Sequence, residues 1–383
     1  MRFSSNLSKL PPYLFSEIDK AKREAKAQGK DVIDLGIGDP DQPTPDFIIK
    51  SLCEAVKDPA NHRYAMDQGS PELREEIANW YRRKFGVELN PEDEILALIG
   101  SKEGIAHLPF AVNNSGEINL VPSPSYPPYR NASILAGAEV FEMPLLEDNA
   151  FLPDLKAVPV SVLNKAKIIY LNYPNNPTSA TATYEFFQEV LRFAEKYDLI
   201  IAQDMAYSEI VYDGYRAVSI LEVDREKRRS IEFHSLSKTY NMTGWRIGWV
   251  CGNKEIIRAL GKFKSNIDSG IFQAIQCAGI TALRDGDDYI KNMQAIYKAR
   301  RNVFVEGLRS IGFDVDYPKA TFYVWMKVSG SSIEFAKRAL EEAGIVCTPG
   351  VGFGKYGEGY VRFALTLGPE RLQEAVDRLK ALR

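Results

Sequence analysis

Apolar positions in the middle of the chain fall into short continuous runs, separated by longer stretches in which apolar residues recur at helical spacing. Residues 95–99 (ILALI) read as a buried strand, followed by a glycine-flanked turn and a helix from about Ile105. Residues 118–121 read as a second strand, ending in the proline-rich turn 122–128. Residues 167–171, 199–203, 231–234 and 247–251 give four more, with helix-period segments such as Tyr184–Tyr197 between several of them. That alternation is the pattern of parallel βαβ units. From about Asp287 a long helical stretch leads to Phe313. Beyond it, strands at 322–328 and 360–365 alternate with helices at Ser332–Ala343 and 369–382, the pattern of a second, smaller α/β domain. No internal repeat or low-complexity linker intervenes, so the two domains are expected to share extensive contacts.

Composition narrows the partners. The 383 residues carry 48 Lys plus Arg against 51 Asp plus Glu, a net charge of −3. That balance offers no field for nucleic acid or an anionic membrane, and a small-molecule partner is the better expectation. The first 15 residues are polar and contain proline, unlike the apolar core of a signal peptide, and no apolar run approaches the ~20 residues of a membrane span. Cys53, Cys251, Cys277 and Cys347 are far apart and fit no metal spacing; they read as free thiols in a reducing cytoplasm. Three histidines without an H-x-x-H pair argue against zinc, so no metal is expected.

In an open parallel sheet, ligands gather outside the carboxyl ends of the strands. Just after the apolar runs stand Ser101-Lys102, Tyr126, Asn176, Asp204 to Tyr207 and Ser235 to Lys238. The segment 235–249 (SLSKTYNMTGWRIGW) is the most informative. A lysine beyond a buried strand, flanked by small hydroxyl residues and followed eight positions later by Arg246, suits a phosphorylated aldehyde. The amine condenses with the aldehyde once its pKa is lowered, while Ser235, Ser237 and the Arg246 fork bind the phosphate. The alternative is a surface lysine in a turn. Gly100-Ser101-Lys102-Glu103-Gly104 would place backbone N–H groups of a helix N-terminus on the same phosphate, or is an ordinary strand-to-helix turn. Asp204 closes an apolar strand; a buried carboxylate there needs a cation such as a protonated pyridine, unless it caps a helix. Asn176, between Pro174 and Pro177, would offer an amide to a phenolic oxygen, or belongs to a plain Asn-Pro turn. Tyr126 would stack on a ring, or packs in the core.

These pieces, in this order, resemble the class I/II aminotransferases of the fold-type-I pyridoxal-phosphate family. The most specific parts are the Asn-Asn-Pro-Thr turn at 175–178, the Asp204–Tyr207 pair, and Ser-x-Ser-Lys followed by Gly-x-Arg-x-Gly. The resemblance implies an α/β fold: a large domain (residues 46–286) with a mostly parallel sheet flanked by helices, a C-terminal small α/β domain (287–383), and an N-terminal segment (1–45) that forms an arm and part of the small domain. It implies pyridoxal 5'-phosphate as cofactor and transamination between an L-amino acid and a 2-oxoacid. Lys238 would anchor the cofactor and shuttle the proton, Asp204 would keep the pyridinium protonated, and Asn176 and Tyr207 would contact the phenolic oxygen. Tyr126 would stack, and Ser101, Lys102, Ser235, Ser237 and Arg246 would hold the phosphate. Tyr64 matches a tyrosine donated across a homodimer interface to the partner's phosphate. Arg362 matches the arginine that grips the substrate α-carboxylate, and Gly38 a backbone contact to it. Gly36-x-Gly38 fails as a dinucleotide fingerprint, because Asp41 stands where the next glycine belongs.

A finer resemblance is to the members of that family acting on L,L-diaminopimelate in lysine biosynthesis, carried by residues 10–18, 37–41 and 100–107. Such a substrate has an amino and a carboxylate group at each end. Asp67 would meet the distal ammonium across the dimer, where plant members have a glutamate, and Tyr13 and Lys102 would approach the substrate. The alternative for Asp67 and Lys102 is a solvated or fold-level charge. The runner-up function is an aspartate or broad-range aminotransferase. A lyase acting on sulfur amino acids would keep the same cofactor residues, and a regulatory module would need a DNA-binding domain for which no helical segment is spare.

Overall fold

The computed structural model describes residues 3–11 and 14–383. A short strand, β1 (Ile33–Asp34), precedes the strands of the main sheet: β2 (Ile95–Leu98), β3 (Ile118–Ser123), β4 (Glu139–Pro144), β5 (Ala166–Asn172), β6 (Ile200–Asp204), β7 (Ser230–Ser235) and β8 (Gly248–Gly252). They form one seven-stranded sheet in the order β2-β8-β7-β6-β5-β3-β4. Along its strands, successive residues go to opposite faces. Ile95 and Ala97, Ile169 and Leu171, and Ile201 pack into one core, while Leu96 and Leu98, Ile168 and Tyr170, and Ala202 pack into another. Both faces are covered, so β2, β5 and β6 read as largely apolar runs, while β7 alternates and buries Ser230, Glu232 and His234.

Four expectations change. Residues 247–251 do form a strand, but β8 runs antiparallel to both β2 and β7. It therefore reaches the cavity end of the sheet with its start, and this brings Arg246 there. The helix after β2 spans Ser101–Val112 and so begins at Ser101, not near Ile105. Its first turn carries polar side chains beside the cavity, and the apolar period becomes visible only one turn later. Strand β3 continues through Pro122 to Ser123. The carbonyl of Ser123 accepts from Leu145 N–H on the β4 side, so Pro122 turns its missing donor toward β5, whose pairing ends at Leu120. Strand β4 was not evident in the sequence. It is a partly exposed edge strand carrying Glu139 and Glu142, charges that suit an edge and break the apolar run.

The C-terminal strands are β9 (Tyr323–Lys327), β10 (Ile345–Val346), β11 (Thr348–Pro349) and β12 (Tyr360–Ala364). The order β11-β12-β9 makes an antiparallel sheet, and β10 pairs in parallel with β1. Their core also takes in Ile33 and Leu35 from early in the chain and Tyr207, Ile210 and Tyr212 from the loop after β6. The long helix Asp287–Ser310 joins the two regions, with Tyr289 packed against both cores. Among the described residues, no helix is long and apolar enough to cross a membrane.

Candidate active site

Where β2, β3, β5, β6 and β7 end and β8 begins, the main sheet meets β9 and β12 around a cavity of about 520 Å³. Ser101, Lys102, Tyr126, Asn176, Asp204 and Tyr207 line it, with Ser235, Ser237, Lys238 and Arg246, and with Gly38 and Arg362 from the far side. The sequence-predicted positions from seven separate segments thus share one cavity.

One end is built for an anion. Gly100 (φ 78°) turns the chain into the helix Ser101–Val112, whose first N–H groups have no partner within the helix. Gly248 comes so close that a Cβ there would lie 2.9 Å from the Ser101 nitrogen. Ser235 and Ser237 are buried beside it. The Arg246 guanidinium donates only to the carbonyls of Thr243 (2.9 Å) and Ile99 (3.4 Å), and no carboxylate among the described residues pairs with it. Arg246, itself exposed, lines the same cavity as this helix N-terminus and the two buried serines, a set of donors suited to an anion.

Lys238 follows β7 on a single helical turn, Leu236–Thr239. Its ammonium donates to the Gly38 carbonyl at 2.9 Å. Burial, reinforced by Arg362 and Arg246 and opposed by Asp39, brings its pKa from 10.5 down to about 8. Deeper in, Asp204 ends β6. Its carboxylate accepts from the Tyr129 hydroxyl (2.8 Å) and the Ala206 N–H (3.1 Å) and has no cationic partner among the described residues. Burial pushes its pKa up, against the lowering effect of those two hydrogen bonds. No helix follows for Asp204 to cap; residues 206–209 form a turn. A buried carboxylate without a cation calls for one in the cavity.

The remaining wall comes from β12 and β9. Arg362, 3% exposed, donates to Asn176 Oδ1 (2.7 Å) and to the Gly36 carbonyl (2.8 Å). Its guanidinium lies 4.2 Å from the Tyr323 ring centroid and 4.7 Å from that of Phe353, with Nε unpartnered. It too lacks a carboxylate among the described residues. Tyr207 is buried, with its hydroxyl 2.9 Å from that of Tyr323. Burial raises the pKa of both phenols.

Two predicted residues stand outside this gathering, and a third cannot be placed. Tyr64 is 89% exposed and Asp67 is exposed; neither lines the cavity of its own chain. Tyr13 lies outside the described residues. Sequence reasoning missed Tyr129, Tyr323 and Phe353. Tyr129 follows Tyr126 by three positions at the start of the helix Pro128–Leu135, a spacing that hinted at a shared face. Tyr323 and Phe353 had no such signal. His234 points away from the cavity: it bonds Glu232 at 2.9 Å and stacks on Trp249.

The family profile described as aminotransferase class I and II matches residues 30–379. The chain belongs to the class I and II aminotransferases. Among its relatives, the LL-diaminopimelate aminotransferase of Halothermothrix orenii is 53% identical over 99% of this chain and 98% of its own. That of Aquifex aeolicus is 51% identical over 100% and 99%. Among solved structures, substrate-bound BacF from Bacillus subtilis superposes with a TM-score of 0.95 at 37% identity, over 100% of this chain and 98% of that one. A Thermus thermophilus aspartate aminotransferase mutant superposes with a TM-score of 0.94 at 28% identity, over the whole of both chains. The fold is that of fold-type-I aminotransferases, and the family uses pyridoxal 5'-phosphate. The cavity fits that cofactor: its lining holds an anion site, a buried carboxylate without a cationic partner among the described residues, and a part-buried amine of lowered pKa.

Proposed function

We propose that this aminotransferase exchanges amino groups between L,L-diaminopimelate and 2-oxoglutarate, in lysine biosynthesis in the cytoplasm, as a homodimer with shared sites. The observation that carries the substrate is full-length identity of 51–53% to relatives named for that activity. Pyridoxal 5'-phosphate, when bound, supplies an electron sink conjugated to the substrate Cα.

The residues divide that work by position. Ser101, Lys102, Ser235, Ser237 and Arg246 hold the phosphate, with Tyr64 of the partner subunit. Tyr126 would stack on the ring, and the Asp204 carboxylate would pair with the ring nitrogen and keep it protonated. Tyr207 and Asn176 serve the phenolic oxygen; the Asn176 carbonyl already accepts from Arg362, which leaves its NH2 as the donating end. Lys238 would be the covalent anchor, and its amine would carry the proton between the substrate Cα and the cofactor C4'. The Gly38 backbone and Arg362 receive the α-carboxylate. Arg362 needs little reorganisation, because Asn176, Gly36 and two ring faces already fix its plane. Asp67 of the partner subunit meets the distal ammonium, while Lys102 and Tyr13 approach the distal carboxylate.

A half-reaction tests the chemistry. L,L-diaminopimelate alone should bleach the visible band of the loaded enzyme once, stoichiometrically, and 2-oxoglutarate should restore it. Continuous ammonia release without an acceptor would identify a lyase and overturn the proposal.

A further inference from the structure

Tyr323 stands where three parts of the site meet. Its ring supports the Arg362 guanidinium at 4.2 Å, its hydroxyl lies 2.9 Å from that of Tyr207, and the chain at Gly38 passes over it so closely that a Cβ there would lie 2.0 Å from the hydroxyl oxygen. The side chain has no room to move, being 2% exposed. Its backbone is held as well: the Tyr323 carbonyl accepts from Ser179 Oγ at 2.9 Å, and its N–H donates to Thr321 Oγ1 at 3.0 Å. Ser179 belongs to the same turn as Asn176, so the main sheet grips Tyr323 beside the residue that grips Arg362. The strands explain the stacking. Tyr323 on β9 pairs with Ala364 on β12, and Arg362 is two residues along from Ala364 on the same face, a diagonal neighbour within reach of long side chains.

We infer that Tyr323 is a positioning residue that ties the α-carboxylate clamp to the hold on the cofactor's phenolic oxygen, a role resting on the functions proposed for Arg362 and Tyr207. The ring keeps the guanidinium plane facing the cavity in a desolvated place, where a cation–π contact is at its strongest. Either hydroxyl of this pair can donate; the role requires Tyr323 as the donor, which leaves the Tyr207 proton free to point at the phenolic oxygen. A donor chain of this kind polarises each link and stabilises the ionised oxygen at its end.

The two halves of the side chain are separable. In the loaded enzyme, Tyr323→Phe keeps the ring, so binding of 2-aminoisobutyrate should stay within about twofold of the parent. That ligand has an α-carboxylate but no hydrogen on Cα, so it binds without turnover. The pH midpoint of the cofactor's visible band should rise in the Phe variant, in the direction Tyr207→Phe moves it and by less. Tyr323→Leu removes the stacking face and should weaken 2-aminoisobutyrate roughly tenfold. Arg362→Ala and Tyr207→Phe, run alongside, separate this inference from the reading beneath it. If Arg362→Ala weakens the ligand and Tyr207→Phe moves the band while neither Tyr323 variant does so, the role of Tyr323 is overturned and the site assignment stands. If the two reference variants change nothing, the site assignment fails and the inference with it. Should Tyr323→Leu not fold, the band midpoint of Tyr323→Phe decides alone.

Discussion

The Lys238 amine falls from 10.5 to about 8 because burial penalises its charged form. Condensation with an aldehyde needs the neutral amine, so burial prepares the nucleophile, and it does so at a cost to the cofactor-free chain. The folded value lies below the unfolded one, so the unfolded chain binds more protons between about 8 and 10.5, and stability rises with pH through that window. Below about 8 the full penalty applies, on the order of 3 kcal/mol. Lys238→Met should therefore raise the Tm of the cofactor-free protein at pH 7, an advantage that fades as pH approaches 10.5. An unchanged melting difference across that range would mean that the amine is not destabilised by burial. Asp204→Asn removes the charge that favours a protonated ring while leaving a group that can still pair with Tyr129. It should cost several powers of ten in turnover at ~1.4 kcal/mol per decade, with little change in folding. Turnover within tenfold of the parent would reduce Asp204 to a structural carboxylate. Both residues were legible in the sequence because each closes or follows a buried strand. Tyr129 and Tyr323 were not, since an aromatic residue near an apolar run looks the same whether it packs a core or bonds a functional group.

Elements carry the next level of the argument. The continuous apolar runs marked the inner strands, and the helical period gave the helices Tyr184–Tyr197 and Ser332–Ala343 at their observed limits. Direction was not legible: β8 is a buried strand like its neighbours, and nothing in a buried strand's composition records which way it runs. Its reversal has a functional consequence, because it delivers Arg246 to the cavity and packs Gly248 against the Ser101 nitrogen. A Cβ on Gly248 would also lie 2.5 Å from the His234 carbonyl, and both contacts are backbone, which cannot swing aside. Gly248→Ala should push β8 away from the anion site. We expect it to destabilise the protein by roughly 1–3 kcal/mol and to weaken cofactor binding more than Gly244→Ala, where nothing lies within 4 Å. Equal cofactor affinity in the two variants, measured by equilibrium dialysis, would remove Gly248 from the anion cradle.

At the scale of the whole molecule, Tyr64 and Asp67 are exposed, away from the cavity of their own chain, to which the family resemblance assigns a role for them from the partner subunit. Around them Met66, Ile267 and Phe272 are also exposed, and Gly270 packs against the Met66 carbonyl. A two-fold dimer would place this surface against a second copy, and each site would then borrow the loop at 64–67. Mixing Lys238→Ala chains with Tyr64→Ala chains should recover activity, because one site of each hybrid dimer has both an intact Lys238 and an intact Tyr64. No recovery after subunit exchange would mean that Tyr64 serves its own chain or none. Substrate choice follows from the same geometry. Removing one partner of a buried, hydrogen-bonded charge pair costs ~2–5 kcal/mol, so Asp67→Ala should lower kcat/KM for L,L-diaminopimelate roughly thirtyfold or more. Glutamate, with no distal amine, should be almost unaffected. The most direct measurement is the parent enzyme's kcat/KM across amino donors, with 2-oxoglutarate as acceptor: L,L- and meso-diaminopimelate, aspartate, alanine, tyrosine and cysteine. The account predicts that L,L-diaminopimelate leads the panel; aspartate outperforming it would contradict the proposed substrate.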